Sequence, residues 1–103
     1  MINSPEFNGY LLDEILTCKE RNFCTITLKE YFIKLVWRES AKKFKDEENK
    51  YIAEGFAYNA CCKLALKFDP DKTSNAVSYV KTIIRSSFAN TLVKLYHNEI
   101  QNT

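Results

Sequence analysis

Apolar side chains recur three and four residues apart along most of the chain, the rhythm of helices that each bury one face. The first segment opens at Ser4, with Pro5 at the first helical position and Glu6 behind it. Tyr10, Leu11, Glu14, Ile15 and Cys18 form its stripe, and it ends near Arg21 and Asn22. The second opens at Thr27, where Thr27-Leu28-Lys29-Glu30 reads as a capping box. Leu28, Tyr31, Phe32, Leu35, Val36 and Phe44 follow at helical spacing, and Trp37 and Ala41 widen the stripe. Lys42, Lys43 and Lys45 close it, where a helix dipole favours cations. Asp46, Glu47 and Glu48 start a third helix with a body from Tyr51 to about Lys67. Pro70 and Asp71 break it. Ser74 or Asn75 caps a fourth helix reaching about Asn98, and Ile100 to Thr103 are expected to fray. The expected fold is all-α, a single compact bundle of about four helices spanning residues 1–103.

The fourth helix carries two patterns. Val77, Val80, Ile84, Phe88, Leu92 and Leu95 fall on one face, read as the core face. Tyr79, Thr82, Ile83, Ser86 and Asn90 share the other, flanked by Lys81, Arg85 and Lys94. An outer face is normally written with Lys and Glu. This one is uncharged and offers an aromatic ring, a branched apolar group and three hydrogen-bonding side chains. Such a face suits stacking and hydrogen bonding to nucleic-acid bases, with the flanking cations for phosphates. A helix packed on two sides would show the same pattern.

Composition narrows the field. The chain has 103 residues and a mass of 12.0 kDa, enough for one domain. Only two glycines and two prolines argue against the many turns of an all-β fold. With Gly9 and Gly55 alone, neither a P-loop nor a dinucleotide fingerprint can be written. The start of the chain lacks a basic segment and an apolar signal core, and apolar runs are short, so a cytoplasmic location is expected. Four cysteines are present, but there is no Cys-x-x-Cys, and His97 is the single histidine. Cys61 and Cys62 are neighbours that point about 100° apart on a helix. No metal site and no cofactor are expected, and the thiols are read as small hydrophobes. Without a nucleophile–base pair or a metal motif, the chain is not expected to be an enzyme. Net charge is +2, with the first half balanced and the basic excess lying between Lys63 and Lys94.

An ordered set of short motifs adds a family likeness. Ala41-Lys42-Lys43-Phe44 and Ile52-Ala53-Glu54-Gly55 come first. Lys67-Phe68-Asp69-Pro70-Asp71-Lys72 follows, then Ser74-Asn75-Ala76-Val77-Ser78-Tyr79, Ile83-Ile84-Arg85 and Phe88. Together, over residues 28–98, they resemble region 2 of bacterial sigma factors, and more closely the late-transcription sigma factors of T-even-like bacteriophages.

The resemblance implies a minimal phage factor that acts in the cytoplasm of an infected bacterium and does no chemistry itself. Its implied partners are the clamp coiled coil in the largest subunit of the host core RNA polymerase, the non-template strand of a melted −10-type promoter element, and a phage co-activator. Glu54, Tyr58, Asn59 and Cys62 match the polymerase-docking surface, with Glu54 expected as a rim carboxylate whose charge can be reversed without harm to the fold. Phe68, Lys72 and Tyr79 match the pocket for a flipped base. Thr82 and Ile83 stand where host factors carry a wedging tryptophan pair, and Arg85, Ser86 and Asn90 lie where duplex and backbone contacts are made. The alternative is a helical protein that binds the polymerase to appropriate or inhibit it and never touches DNA.

Overall fold

The structure, a computed structural model, describes residues 4–101, with side chains from 4 to 97. It is an all-α bundle of four helices: α1 (Phe7–Arg21), α2 (Ile26–Lys43), α3 (Glu47–Leu64) and α4 (Ala76–Gln101). A 3₁₀ turn, Ala65–Lys67, extends α3. At 26 residues α4 is about 39 Å long and accounts for most of the 48 Å long dimension.

Helix ends differ in detail from the local signals. Ser4 to Glu6 form a turn, and α1 begins at Phe7. Asn22, in the left-handed conformation that asparagine tolerates, ends α1 and returns its N–H to the Cys18 carbonyl. The cap of α2 is Thr25 rather than Thr27, its hydroxyl accepting from the Leu28 N–H at 3.1 Å. The reason is tertiary: the same hydroxyl donates to Glu14 of α1, and the Thr25 N–H reaches the Cys18 sulfur. Asn75 caps α4 by accepting from the Ser78 N–H at 3.0 Å. Asn8 of α1 adds a second cap, its Oδ1 accepting from the Val77 N–H at 3.0 Å while its amide donates to the Ser74 carbonyl. α4 continues past Asn98 to Gln101; of the residues expected to fray, Asn102 and Thr103 lie outside the described residues.

Phe7, Leu11 and Ile15 of α1 and Leu28, Phe32, Leu35 and Val36 of α2 supply much of the core. α3 contributes small side chains, Ala53, Ala57 and Cys61, and turns its large ones, Tyr51, Ile52, Phe56 and Leu64, outward. Small residues on the inner side let α3 approach its neighbours closely, and α4 packs most extensively against it. Phe44 and Phe68, from the connections, plug the bundle beside α4. Phe44 meets the Phe88 ring edge-on at 5.1 Å. Four positions assigned to apolar stripes lie at the surface instead: Tyr10, Trp37, Ala41 and Leu92.

Candidate nucleic-acid and protein interfaces

The core arc of α4 is rotated from the expected one toward α3. Val80, Ile83, Ile84, Phe88 and Thr91 are buried, whereas Leu92 is not. The uncharged face therefore does not point straight out. It forms the wall of a groove against α3, about 280 Å³ in volume, lined by Ala60 and Leu64 opposite Tyr79, Thr82, Ile83, Ser86, Ser87 and Asn90.

Two residues expected to meet DNA are corrected by this geometry. Phe68 is 0% exposed, because it closes the core where α3 gives way to the turn before α4. A base cannot stack on it while the bundle is intact. Ile83 is 8% exposed and serves as groove floor rather than wedge, because α3 covers that side of α4. Tyr79 is half-buried rather than projecting. Its ring meets the edge of Phe68 at 5.0 Å, and its hydroxyl donates to the Leu64 carbonyl at 2.8 Å. Burial pushes the phenol pKa up, so the O–H stays a donor. That bond ties α4 to the end of α3.

The remaining nucleic-acid candidates divide. Thr82, Ser86 and Asn90 are exposed along the groove, with the Thr82 hydroxyl donating to the Ser78 carbonyl at 2.9 Å. Lys72 is exposed in the turn before α4, whose backbone closes on Asp69. Arg85 lies on the other flank of α4, facing α2, where its guanidinium sits 3.5 Å from Glu39. Glu39, a mid-helix carboxylate only 6% exposed, escaped the sequence reading; its position between Val36 and Ser40 was the available signal.

A larger groove, about 830 Å³, runs between α2 and α3. Glu54, Tyr58 and Asn59 line it together with Ile33, Trp37, Tyr51, Ile52, Gly55 and Phe56. Trp37 is 60% exposed, Tyr51 79% and Phe56 49%, a concentration of aromatic surface that α3 creates by facing its large residues away from the core. Trp37, assigned from its spacing to the core stripe, belongs to this surface. A Cβ placed on Gly55 meets nothing within 4 Å, so the space above this residue is open.

Glu54 is not a free rim carboxylate. Its Oε2 accepts from the Ser40 hydroxyl at 2.6 Å, and Ser40 is fully buried, so the pair ties α2 to α3. Cys62 stands apart from this groove. It packs beside Cys24, whose thiol donates to the Cys62 carbonyl at 3.5 Å, and it lies near the Tyr58 phenol. Burial, then the neighbouring Cys62, raises the pKa of both Cys24 and Tyr58. Burial also pushes the Cys61 thiol up to about 12, with Cys62 and Cys24 adding to the effect.

Among the described residues, no group of three or more His, Cys, Asp or Glu side chains could hold a metal ion. No described helix is long and apolar enough to cross a membrane. No protein-family model, no curated protein and no solved structure matches the chain.

Proposed function

We propose that the chain is a transcription-initiation factor of the sigma region 2 kind, which docks on a bacterial core RNA polymerase through the α2–α3 groove and holds melted promoter DNA along the α3–α4 groove. One observation carries this reading. Three of the four residues that the motif likeness nominates for polymerase docking, Glu54, Tyr58 and Asn59, line the α2–α3 groove. The open aromatic surface there suits an amphipathic helix of a partner, whose apolar anchors bury in such grooves. The clamp coiled coil of the polymerase largest subunit offers helices of that form. Thr82, Ser86 and Asn90 supply hydrogen-bonding groups to an extruded base, and Tyr79 frames the end of their groove.

A second reading keeps the docking and drops the DNA: a protein that binds the polymerase to appropriate or inhibit it. The burial of Phe68 and Ile83 favours it, because it removes two of the side chains available for base stacking and wedging.

Run-off transcription from phage late promoters by host core polymerase, with and without the protein, separates the two. Promoter-specific transcripts support the first; inhibition, or redirection without contact to DNA, supports the second. Docking itself is tested by Gly55→Leu. The added side chain has space in the free protein and replaces a poor helix former, so melting should be no lower than wild type. Affinity for core polymerase should fall tenfold or more, to about 1.4 kcal/mol weaker. Undiminished affinity would refute docking through this groove.

A further inference from the structure

We propose that the cleft between α2 and α4 binds the phosphate backbone of duplex nucleic acid, through Lys42 and Lys43 of α2 and Arg85 of α4, with Lys81 of α4 beside them. The site lies on the opposite flank of α4 from the base-holding groove, and two of its residues come from a helix not assigned to DNA above.

The cleft is open, about 420 Å³ in volume, and Lys42, Lys43 and Arg85 line it around Glu39 and Phe88. Among the described residues, Glu39 is the carboxylate that lines this cleft. Its Oε2 lies 3.4 Å from the Lys42 ammonium and its Oε1 3.5 Å from the Arg85 guanidinium. Both cations remain about two-thirds exposed, at 65% and 67%, so each has a solvent-facing side left to offer. Lys81 feels the crowding: burial first, then Arg38, Lys42 and Arg85, hold its ammonium pKa below the ordinary value, against the opposing pull of Glu39. Three cations thus line the cleft with a single carboxylate. The stretch of α4 beside the cleft adds no carboxylate, because the chain has no Asp or Glu between Lys72 and Asn98. Like charges held close repel one another, and an anion entering the cleft relieves that repulsion.

The arrangement selects the kind of anion. Lys42 and Lys43 are neighbours on α2, and Lys81 and Arg85 lie one turn, about 6 Å, apart on α4. Cations on both walls of the cleft suit a line of phosphates better than one isolated phosphate. Phe88, the one aromatic residue lining the cleft, is buried, so no ring is presented to a base. A duplex, whose bases are already paired, needs none. Arg85 also adjoins Ser86 on α4, so a nucleic acid crossing this helix reaches from the cleft to the uncharged groove. Glu39 acts as a positioning residue, holding the Lys42 and Arg85 heads at the cleft.

The test is fluorescence anisotropy of a short labelled DNA duplex with the full chain, across a range of potassium chloride concentrations. Each phosphate contact contributes about 0.9 to the slope of log affinity against log salt. The paired change Lys42→Gln with Lys43→Gln should lower the slope by about 2 and the low-salt affinity tenfold or more, and Lys81→Gln should lower the slope by about 1. Lys63→Gln, on exposed α3 surface, should change the affinity far less. Thermal melts should remain near wild type, because the altered lysines contribute charge rather than core. An unaltered slope in the cleft variants, a preference for single strands of equal length, or equal displacement by inorganic phosphate at matched ionic strength would overturn the inference. Polymerase affinity is measured in parallel. Failure of the wild-type chain to bind polymerase, with the slope lowered in the cleft variants, counts against docking alone; polymerase binding with an unaltered slope in those variants counts against the cleft alone.

Discussion

Replacing Tyr79 separates a structural role from a DNA-binding role, and the geometry sets the scale. An exposed tyrosine would lose little stability on truncation. Here the hydroxyl donates to the Leu64 carbonyl at 2.8 Å, and the ring edge-packs on Phe68 at 5.0 Å and 68°. The hydroxyl bond lies where water reaches, so Tyr79→Phe should cost about 0.5–1 kcal/mol, the low end for a hydrogen bond. Tyr79→Ala also removes the aromatic pair, worth about 0.5–1.5 kcal/mol. It further loses the burial of a half-covered ring, about 1 kcal/mol at half the value for full burial. The sum is about 2–3.5 kcal/mol. In a domain of this size each kcal/mol moves the melting temperature by roughly 4–8 °C. Calorimetry should therefore show a fall of about 10–25 °C for the alanine variant and only a few degrees for the phenylalanine variant. A change below about 4 °C for alanine would refute the reasoning and return Tyr79 to the surface. Permanganate reactivity of unpaired promoter thymines, measured where both variants are folded, completes the assay. The phenylalanine variant keeps the ring and should melt promoter DNA normally. The alanine variant should lose about tenfold or more of open complex if the ring supports a base.

The other predictions concern the core, the α2–α3 tie and the thiols. Phe88→Ala removes a 1% exposed ring that meets Phe44 edge-on, and urea denaturation should show about 3–5 kcal/mol lost; a loss under 1 kcal/mol would place Phe88 outside the core. Ser40→Ala leaves the Glu54 carboxylate without its donor and should cost about 1–3 kcal/mol by the same assay. Glu54→Lys should also destabilise, and an unchanged melting temperature in both variants would show that the pair does not tie the helices. Folding raises the Cys61 pKa to about 12 from an unfolded value of 9.0, so its contribution is whole below pH 9 and is lost as pH climbs through 9 toward 12. The urea midpoint should therefore fall with increasing pH in that window, and Cys61→Ala should flatten the decline; an identical slope in wild type and variant would assign the decline to other groups.

Local chemistry made much of the architecture readable. Four helices follow from apolar spacing and scarce Gly and Pro, and the α3–α4 break follows from Pro70, whose ring disfavours helical geometry at Asp69. The mid-stripe positions Leu11, Ile15, Phe32, Ile84 and Phe88 are buried as their periodicity predicts. Tertiary packing decided the rest. The local capping-box pattern points to Thr27, but Glu14 and Cys18 of α1 selected Thr25 by engaging its hydroxyl and N–H. Asn8 caps α4 from a segment distant in the chain, a bond that no local window contains. The interfaces were legible as sets of residues, but not as surfaces. Spacing locates Tyr79, Ile83 and Asn90 on one side of α4, yet it cannot say that α3 lies against that side. Ala53, Ala57 and Cys61 are small enough to draw α3 inward, and their packing buries Ile83, half-covers Tyr79 and turns Tyr51 and Phe56 to the outside. Periodicity specifies the directions in which side chains leave a helix axis; which direction becomes interior depends on the helix that packs there.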